Sequence, residues 1–169
     1  MEYRDGETEG HSRRLVKLSG QLGGALGLSE EELVYLRRGA LVHDIGKLAI
    51  PDEILLKPDA LDENERALIQ KHIIYARQML SDIAFLQPSI SVAYSHHERW
   101  DGQGYPEGLK GEEIPLLARS FAVVDTWDAL RSERVYRPAW SAEKTAAYLK
   151  ENSGIKYGPH IVEVFLGLI

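Results

Sequence analysis

With 169 residues and no cysteine, the chain has the size of one ordinary domain. Disulfides, zinc–thiolate sites and cysteine nucleophiles are excluded, so any metal must be held by histidine nitrogen and carboxylate oxygen. A formal net charge of −6 argues against long nucleic acid as the main partner, because non-specific phosphate binding needs a broad basic surface. A small phosphorylated ligand needs only a local group of cations, most of whose charge bound divalent metals would supply. No apolar run approaches the roughly 20 residues of a membrane span, and Met1 to Gly10 is polar and acidic rather than signal-like, so a cytoplasmic domain without a membrane segment is expected.

The first predicted helix carries Leu15, Leu18 and Leu22 on one stripe. Stepping back along it four residues at a time lands on His11 and then Glu7, which aims both polar residues at the core. Ser29 followed by Glu32 reads as a capping box, and Leu33, Leu36 and Ala40 then recur at helical spacing up to His43-Asp44, with Gly46 as the stop. Asp62 with Glu65 opens a further helix in the same way, whose stripe of Leu68, His72, Tyr75 and Met79 turns His72 inward. A fourth helix is expected from about Pro88 to His97, although Ser89 to Tyr94 also alternates as a strand would. Between Asp101 and Gly111, glycines at 102, 104, 108 and 111 and a proline at 106 predict an irregular loop, the kind of segment where binding residues concentrate. After Pro115 a fifth helix sets Leu117, Phe121, Asp125 and Asp128 on one face, and helical patterns follow from Ser141 to Lys150 and from Pro159 to the end. Strands are hard to find, so the expected class is all-α, a compact bundle of about seven helices forming a single domain.

Buried histidines and carboxylates are costly unless paired or coordinated. Glu7, His11, His43, Asp44, His72, His97 and Asp125 all fall on or beside inward faces of separate helices. Taken singly, each has a plainer explanation: a hydrogen-bonded core histidine, a helix-end dipole partner, a helical side-chain pair near a terminus. Taken together they do not, because of six histidines only His160 stands outside the pattern. Divalent metal would satisfy the whole set, with two or three ions ringed by converging helices.

His43-Asp44, followed in order by His72, His96-His97 and Asp125, resembles the HD superfamily of metal-dependent phosphohydrolases. The run His96-His97-Glu98-Arg99-Trp100-Asp101-Gly102-Gln103-Gly104-Tyr105-Pro106 closely resembles the second signature of the HD-GYP family, phosphodiesterases acting on cyclic dinucleotides, chiefly cyclic di-GMP. This resemblance runs from Glu7 to the last helix. It implies an HD-type helical bundle with His43, Asp44, His72, His96, His97 and Asp125 as metal ligands, Asp44 bridging two ions. It further implies His11 as another ligand and Glu7 as the carboxylate some members use for a third ion. Lys47 matches a lysine contacting the substrate phosphate, while Tyr105, Arg134 and Arg137 match substrate-facing positions. The implied cofactors are two or three divalent transition-metal ions, iron or manganese ahead of magnesium, and the implied reaction opens cyclic di-GMP to pGpG, with some members cutting onward to GMP. The chain departs locally: Arg131 and Val135 replace the usual threonine and proline, and Gly158 stands where an aspartate commonly caps the last helix. The Arg131 change keeps one rival open, hydrolysis of the mixed guanine-adenine cyclic dinucleotide; a rival of another class, a weakly active cyclic-dinucleotide sensor, is disfavoured by the intact ligand set. Expected partners beyond the dinucleotide are sensor, receiver or diguanylate cyclase domains of a longer protein from which this domain is excised, and a second copy in a homodimer.

Overall fold

The computed structural model describes residues 9–133 and 138–169. Glu7, Arg134 and Arg137, three of the residues singled out above, lie outside them. The described residues form an all-helical arrangement whose one β feature is an isolated bridge between Ser153 and Tyr157.

Helix α1 spans Glu9–Ala25 and α2 spans Glu30–Val42. The capping box starting α2 is present: the Ser29 hydroxyl accepts from the Glu32 amide at 3.3 Å, and Glu32 accepts the Ser29 amide at 2.8 Å. These bonds satisfy two of the donors that a helix start leaves open. Next come a 3₁₀ turn, Ile45–Ala49, and a short α3, Asp52–Leu55. Helix α4, Glu63–Gln70, opens with the second expected capping box, Asp62 with Glu65. The single helix expected through His72 and Met79 is in fact two, because Lys71 separates α4 from α5, His72–Leu80. That break re-aims the stripe: His72, Ile73, Ala76 and Leu80 are buried, whereas Met79 is exposed.

A second 3₁₀ turn, Ala84–Ser89, precedes α6, Ile90–Ser95, so the fourth predicted helix is helical but begins two residues later than expected from Pro88. Helix α7, Leu116–Arg131, follows, and α8 (Ala142–Glu151) and α9 (Pro159–Leu166) close the fold. Gly158 sits at the N-cap of α9 with no side-chain cap, as its replacement of aspartate implies.

Helices α1, α2 and α6 all pack against α7, which makes α7 the common wall of the core. Leu15, Leu22, Leu36, Val92, Phe121 and Phe165 fill the space between them and are fully buried. Each such side chain stabilises the fold by about 1.5–3 kcal/mol through removal of apolar surface from water. At one end of this core the apolar filling stops at Phe121, whose ring lies 4.9 Å from His43 and 5.8 Å from His96. Phe121 is the floor on which the polar cluster rests.

Candidate metal centre

Five histidines from four parts of the chain meet above Phe121. His11 comes from α1, His43 caps the C-terminal end of α2, His72 opens α5, and His96 and His97 follow α6. The rings approach one another closely, with centroids 5.4 Å apart for His43 and His96, 5.2 Å for His72 and His97, and 4.0 Å for His96 and His97.

Glycine makes one of these meetings possible. A Cβ on Gly46 would lie 1.8 Å from the His72 carbonyl oxygen, so the turn after Asp44 rests directly on the first residue of α5. Gly46 was expected as the stop of the helix that carries His43 and Asp44. Instead α2 ends at Val42, before His43, and Gly46 serves close approach.

Four of the five histidine rings have Nδ1 tied down. Nδ1–H of His43 donates to the Ala40 carbonyl at 3.0 Å, that of His72 to Ile69 at 2.8 Å, and that of His96 to Val92 at 3.0 Å. A carbonyl can only accept, so the proton resides on Nδ1 and the lone pair on Nε2. His11 differs, because its Nδ1 meets a side chain, Asp128 Oδ2, at 2.7 Å. Burial lowers the pKa of His72, pushes His96 well below the ordinary histidine value and brings His97 to about 3. Neutral imidazoles are the form that binds metal.

The ligand atoms fall into two groups. His72, His96 and His97 form one, and His11, His43 and Asp125 the other, with the candidate atoms of each group within 4.8 Å of one another. Asp44 stands between them: Oδ2 is 3.2 Å from His43 Nε2 and Oδ1 is 3.3 Å from His72 Nε2. Lys47, one turn on, reaches the same carboxylate with Nζ 2.6 Å from Oδ2. Burial works to raise the Asp44 pKa, but His43, Lys47 and His96 together hold it well below the usual carboxylate value. Asp125 lacks comparable support, and its burial raises it.

A divalent cation fits this set on the structure's own terms. Nε2 of His72 and of His96 are buried and make no hydrogen bond. Leaving such atoms unsatisfied costs about 1–3 kcal/mol each, and a cation shared among the imidazoles removes that cost. Each of the two groups could hold a metal ion, and the Asp44 carboxylate stands between them.

Over the His72 group lies the glycine-rich loop. The Tyr105 ring stacks on His97 at 4.9 Å and 22°, and its amide donates to the His97 carbonyl at 3.3 Å. Burial raises the Tyr105 pKa, so its hydroxyl stays protonated and acts as a donor. Sequence reasoning passed over the residue that anchors this loop. Buried Glu98 accepts the Glu107 amide at 2.8 Å and the Leu109 amide at 3.1 Å. Trp100 and Asp101 amides fasten the loop's start to the Lys156 and Ile155 carbonyls at 3.1 and 2.9 Å. Gly104 lies flat on this segment, since a Cβ there would come within 2.4 Å of the Arg99 amide nitrogen.

A second overlooked residue is Asp128, noticed only as an inward position of α7. It accepts from His11, from Arg14 Nε at 2.5 Å and Nη2 at 2.9 Å, and from the Ser132 hydroxyl at 3.2 Å. Burial works against its ionisation, yet the bonds from His11 and Arg14 hold it at about 2. Of the predicted site residues within the described chain, His11, His43, Asp44, Lys47, His72, His96, His97, Tyr105 and Asp125 are all brought together. His160 is exposed and apart, as expected.

Comparison with known proteins agrees with this geometry. The chain is 44% identical over 168 residues to the cyclic di-GMP phosphodiesterase response regulator RpfG of Xanthomonas campestris, covering 98% of this chain and 44% of that protein. It is 38% identical over 168 residues to the 3'3'-cGAMP-specific phosphodiesterase 2 of Vibrio cholerae, covering 98% of this chain and 32% of the relative. The crystal structure of the cyclic GMP-AMP specific phosphodiesterase V-cGAP3 of V. cholerae superimposes with a TM-score of 0.76 at 25% identity, over 98% of this chain and 45% of that one. The chain therefore spans less than half the length of these relatives. An HD domain family model matches residues 2–161, and with the histidine and aspartate pattern assembled at one site and the His96–Pro106 signature lying over it, the chain belongs to the HD domain family, in its HD-GYP branch.

Proposed function

We propose that this domain is a metal-dependent phosphodiesterase that hydrolyses cyclic di-GMP to the linear dinucleotide pGpG. The observation that carries the reading is Asp44 spanning two histidine groups beside Lys47. The substrate class follows the names of the relatives, cyclic di-GMP phosphodiesterases among them.

In this reading His72, His96 and His97 would hold one ion and His11, His43 and Asp125 a second, with Asp44 placed to serve both. Imidazole-rich sites favour iron or manganese over magnesium. A bound divalent pair supplies Lewis-acid activation of water at neutral pH and neutralises charge on a phosphoryl group. The protein's own part is electrostatic positioning. Lys47, already held at the bridging carboxylate, turns its ammonium to the charge that develops on the phosphoryl oxygens. Tyr105, rigidly stacked on His97 and protonated, donates a hydrogen bond to the substrate rather than a negative charge. Arg134 and Arg137, outside the described residues, are assigned to the dinucleotide's phosphates, and Glu7 to a third ion. The relatives' greater length supports a domain that works within a longer regulatory protein.

A second reading, the mixed guanine-adenine cyclic dinucleotide, draws support from the 3'3'-cGAMP-specific relatives. Metal chemistry is blind to the bases, so the two are separated by assay. Protein loaded with manganese or ferrous iron is incubated with each cyclic dinucleotide and the products are resolved by chromatography. Faster turnover of cyclic di-GMP supports the first reading, faster turnover of the mixed dinucleotide the second, and recovery of both intact would overturn the enzymatic reading in favour of a sensor.

A further inference from the structure

Three of the four histidines with a fixed Nδ1 are oriented by their own local backbone: His43 bonds Ala40, His72 bonds Ile69 and His96 bonds Val92, each three or four residues back. Those orientations form as soon as the local turn forms. His11 is different. Its Nδ1 bonds Asp128 of α7, 117 residues away in sequence, so its ring has a defined direction only when α1 is docked on α7. With Nδ1 occupied in this way, Nε2 is the atom His11 offers to the group it shares with His43 and Asp125.

Asp128 is itself over-determined. Arg14, one turn after His11 on α1, grips both carboxylate oxygens, with Nε on Oδ1 at 2.5 Å and Nη2 on Oδ2 at 2.9 Å. The same Nη2 bonds the Ser132 hydroxyl at 2.9 Å, and that hydroxyl donates back to Asp128 at 3.2 Å. The carboxylate is nearly inaccessible while the Arg14 side chain is 47% exposed, so the arginine closes the unit from the solvent side. A bidentate pair fixes direction as well as distance. A carboxylate donor-acceptor partner behind an imidazole ligand both selects its tautomer and raises its basicity.

We propose that Asp128, braced by Arg14, is the positioning residue of the His11–His43–Asp125 group, and that it selectively governs the ion held there while leaving the His72–His96–His97 group unaffected. Asp128 touches no substrate and no proposed ion. It acts through His11 alone. Among the described residues the His72 group shows no counterpart to this device: its rings are set by backbone carbonyls and by stacking against Tyr105. The two ions therefore depend on different parts of the fold: one on the turns at the α4–α5 junction and at the end of α6, the other on the tertiary contact of α1 with α7.

This inference rests on the two-group metal reading above, and its test separates the two. Manganese titrations followed by elemental analysis are run on the parent, Asp128→Ala, Asp128→Asn and Arg14→Ala, each checked for parent-like helicity by circular dichroism. The expected result is that Asp128→Ala weakens one ion about 10- to 100-fold, the range for loss of an outer partner of a metal-bound histidine, with the other ion unchanged. Asp128→Asn, which keeps an acceptor for Nδ1–H but loses the charge, falls between, and Arg14→Ala gives a smaller loss in the same ion. In the metal-free protein, nitrogen NMR of the imidazoles should find His11 protonated on Nδ1 in the parent and a tautomer mixture in Asp128→Ala. Unchanged binding of both ions, or parallel loss of both with helicity retained, would overturn the proposal. A parent that binds no ion defeats the metal reading itself, and the His11 tautomer then decides the role of Asp128 independently.

Discussion

Gly46 and His72 meet backbone to backbone: no side-chain atom can be added to Gly46 without entering the space of the His72 carbonyl, 1.8 Å from where a Cβ would sit. This contact sets the spacing between Asp44 and His72, hence between the two histidine groups that Asp44 spans. Gly46→Ala must push the Ile45–Ala49 turn away from α5. The expected cost is about 1–3 kcal/mol of stability, the scale of overpacking in a close contact, together with loss of metal from both groups. Thermal unfolding and elemental analysis check it; a variant with parent-like stability and full metal content would mean that the turn moves without disturbing Asp44.

Asp44 and Lys47 should separate cleanly in their effects. Asp44→Ala removes the carboxylate facing both groups and should abolish hydrolysis along with metal retention. Lys47→Ala should keep the ions but lower turnover by about 100-fold, the scale for losing one preorganised charge donor. Equal metal loss in both variants would make Lys47 a structural partner of Asp44, consistent with their 2.6 Å contact, and remove it from the reaction.

Glu98 should control the loop without controlling the ions. Its two oxygens each accept a loop amide, and glutamine can supply only one acceptor. Glu98→Gln therefore leaves one part-buried loop amide without its carboxylate partner, a loss of about 1 kcal/mol that loosens the seat of Tyr105. We expect KM for the dinucleotide to rise about tenfold, the equivalent of roughly 1.4 kcal/mol, while both ions stay bound. Parent-like KM would show that the loop is held by its contacts to Ile155 and Lys156 instead.

Asp128 gives the metal-free protein a specific acid sensitivity. Its carboxyl is held at about 2, below the 3.8 of an ordinary aspartate. A depressed folded-state value means that its contribution is fully present above the unfolded pKa and is lost as pH falls toward the folded one. Between about pH 4 and pH 2 the parent should lose stability that Asp128→Asn never had. Denaturant midpoints across that interval should converge for the two proteins; parallel curves would contradict the assigned bonds.

Much of this was legible in the sequence because it is local. Both capping boxes, the inward stripe through Leu15 and Leu22, and the order of histidines and aspartates depend on spacing along single helices. Features set by the packing of distant segments were not legible. The break at Lys71 leaves no composition signal, since His72 begins a new helix where the Gly46 turn presses on it. A glycine that permits contact looks the same in sequence as one that permits an unusual turn, so Gly46 was assigned the wrong task. Asp128 was seen on the correct face of α7, but its pairing with His11 joins residues 117 positions apart. Glu98 stood inside the signature run and gave no sign that it binds the loop's own backbone.

The central claim is that one domain holds two ions between these histidine groups and uses them to open a cyclic dinucleotide. The most direct measurement is elemental analysis of protein purified with and without air, paired with chromatographic assay of cyclic di-GMP before and after chelation and after manganese or ferrous iron is restored. The account predicts at least two transition-metal ions per chain, activity that disappears with them, and recovery of pGpG production when they return. Full activity in protein stripped of metal would contradict it.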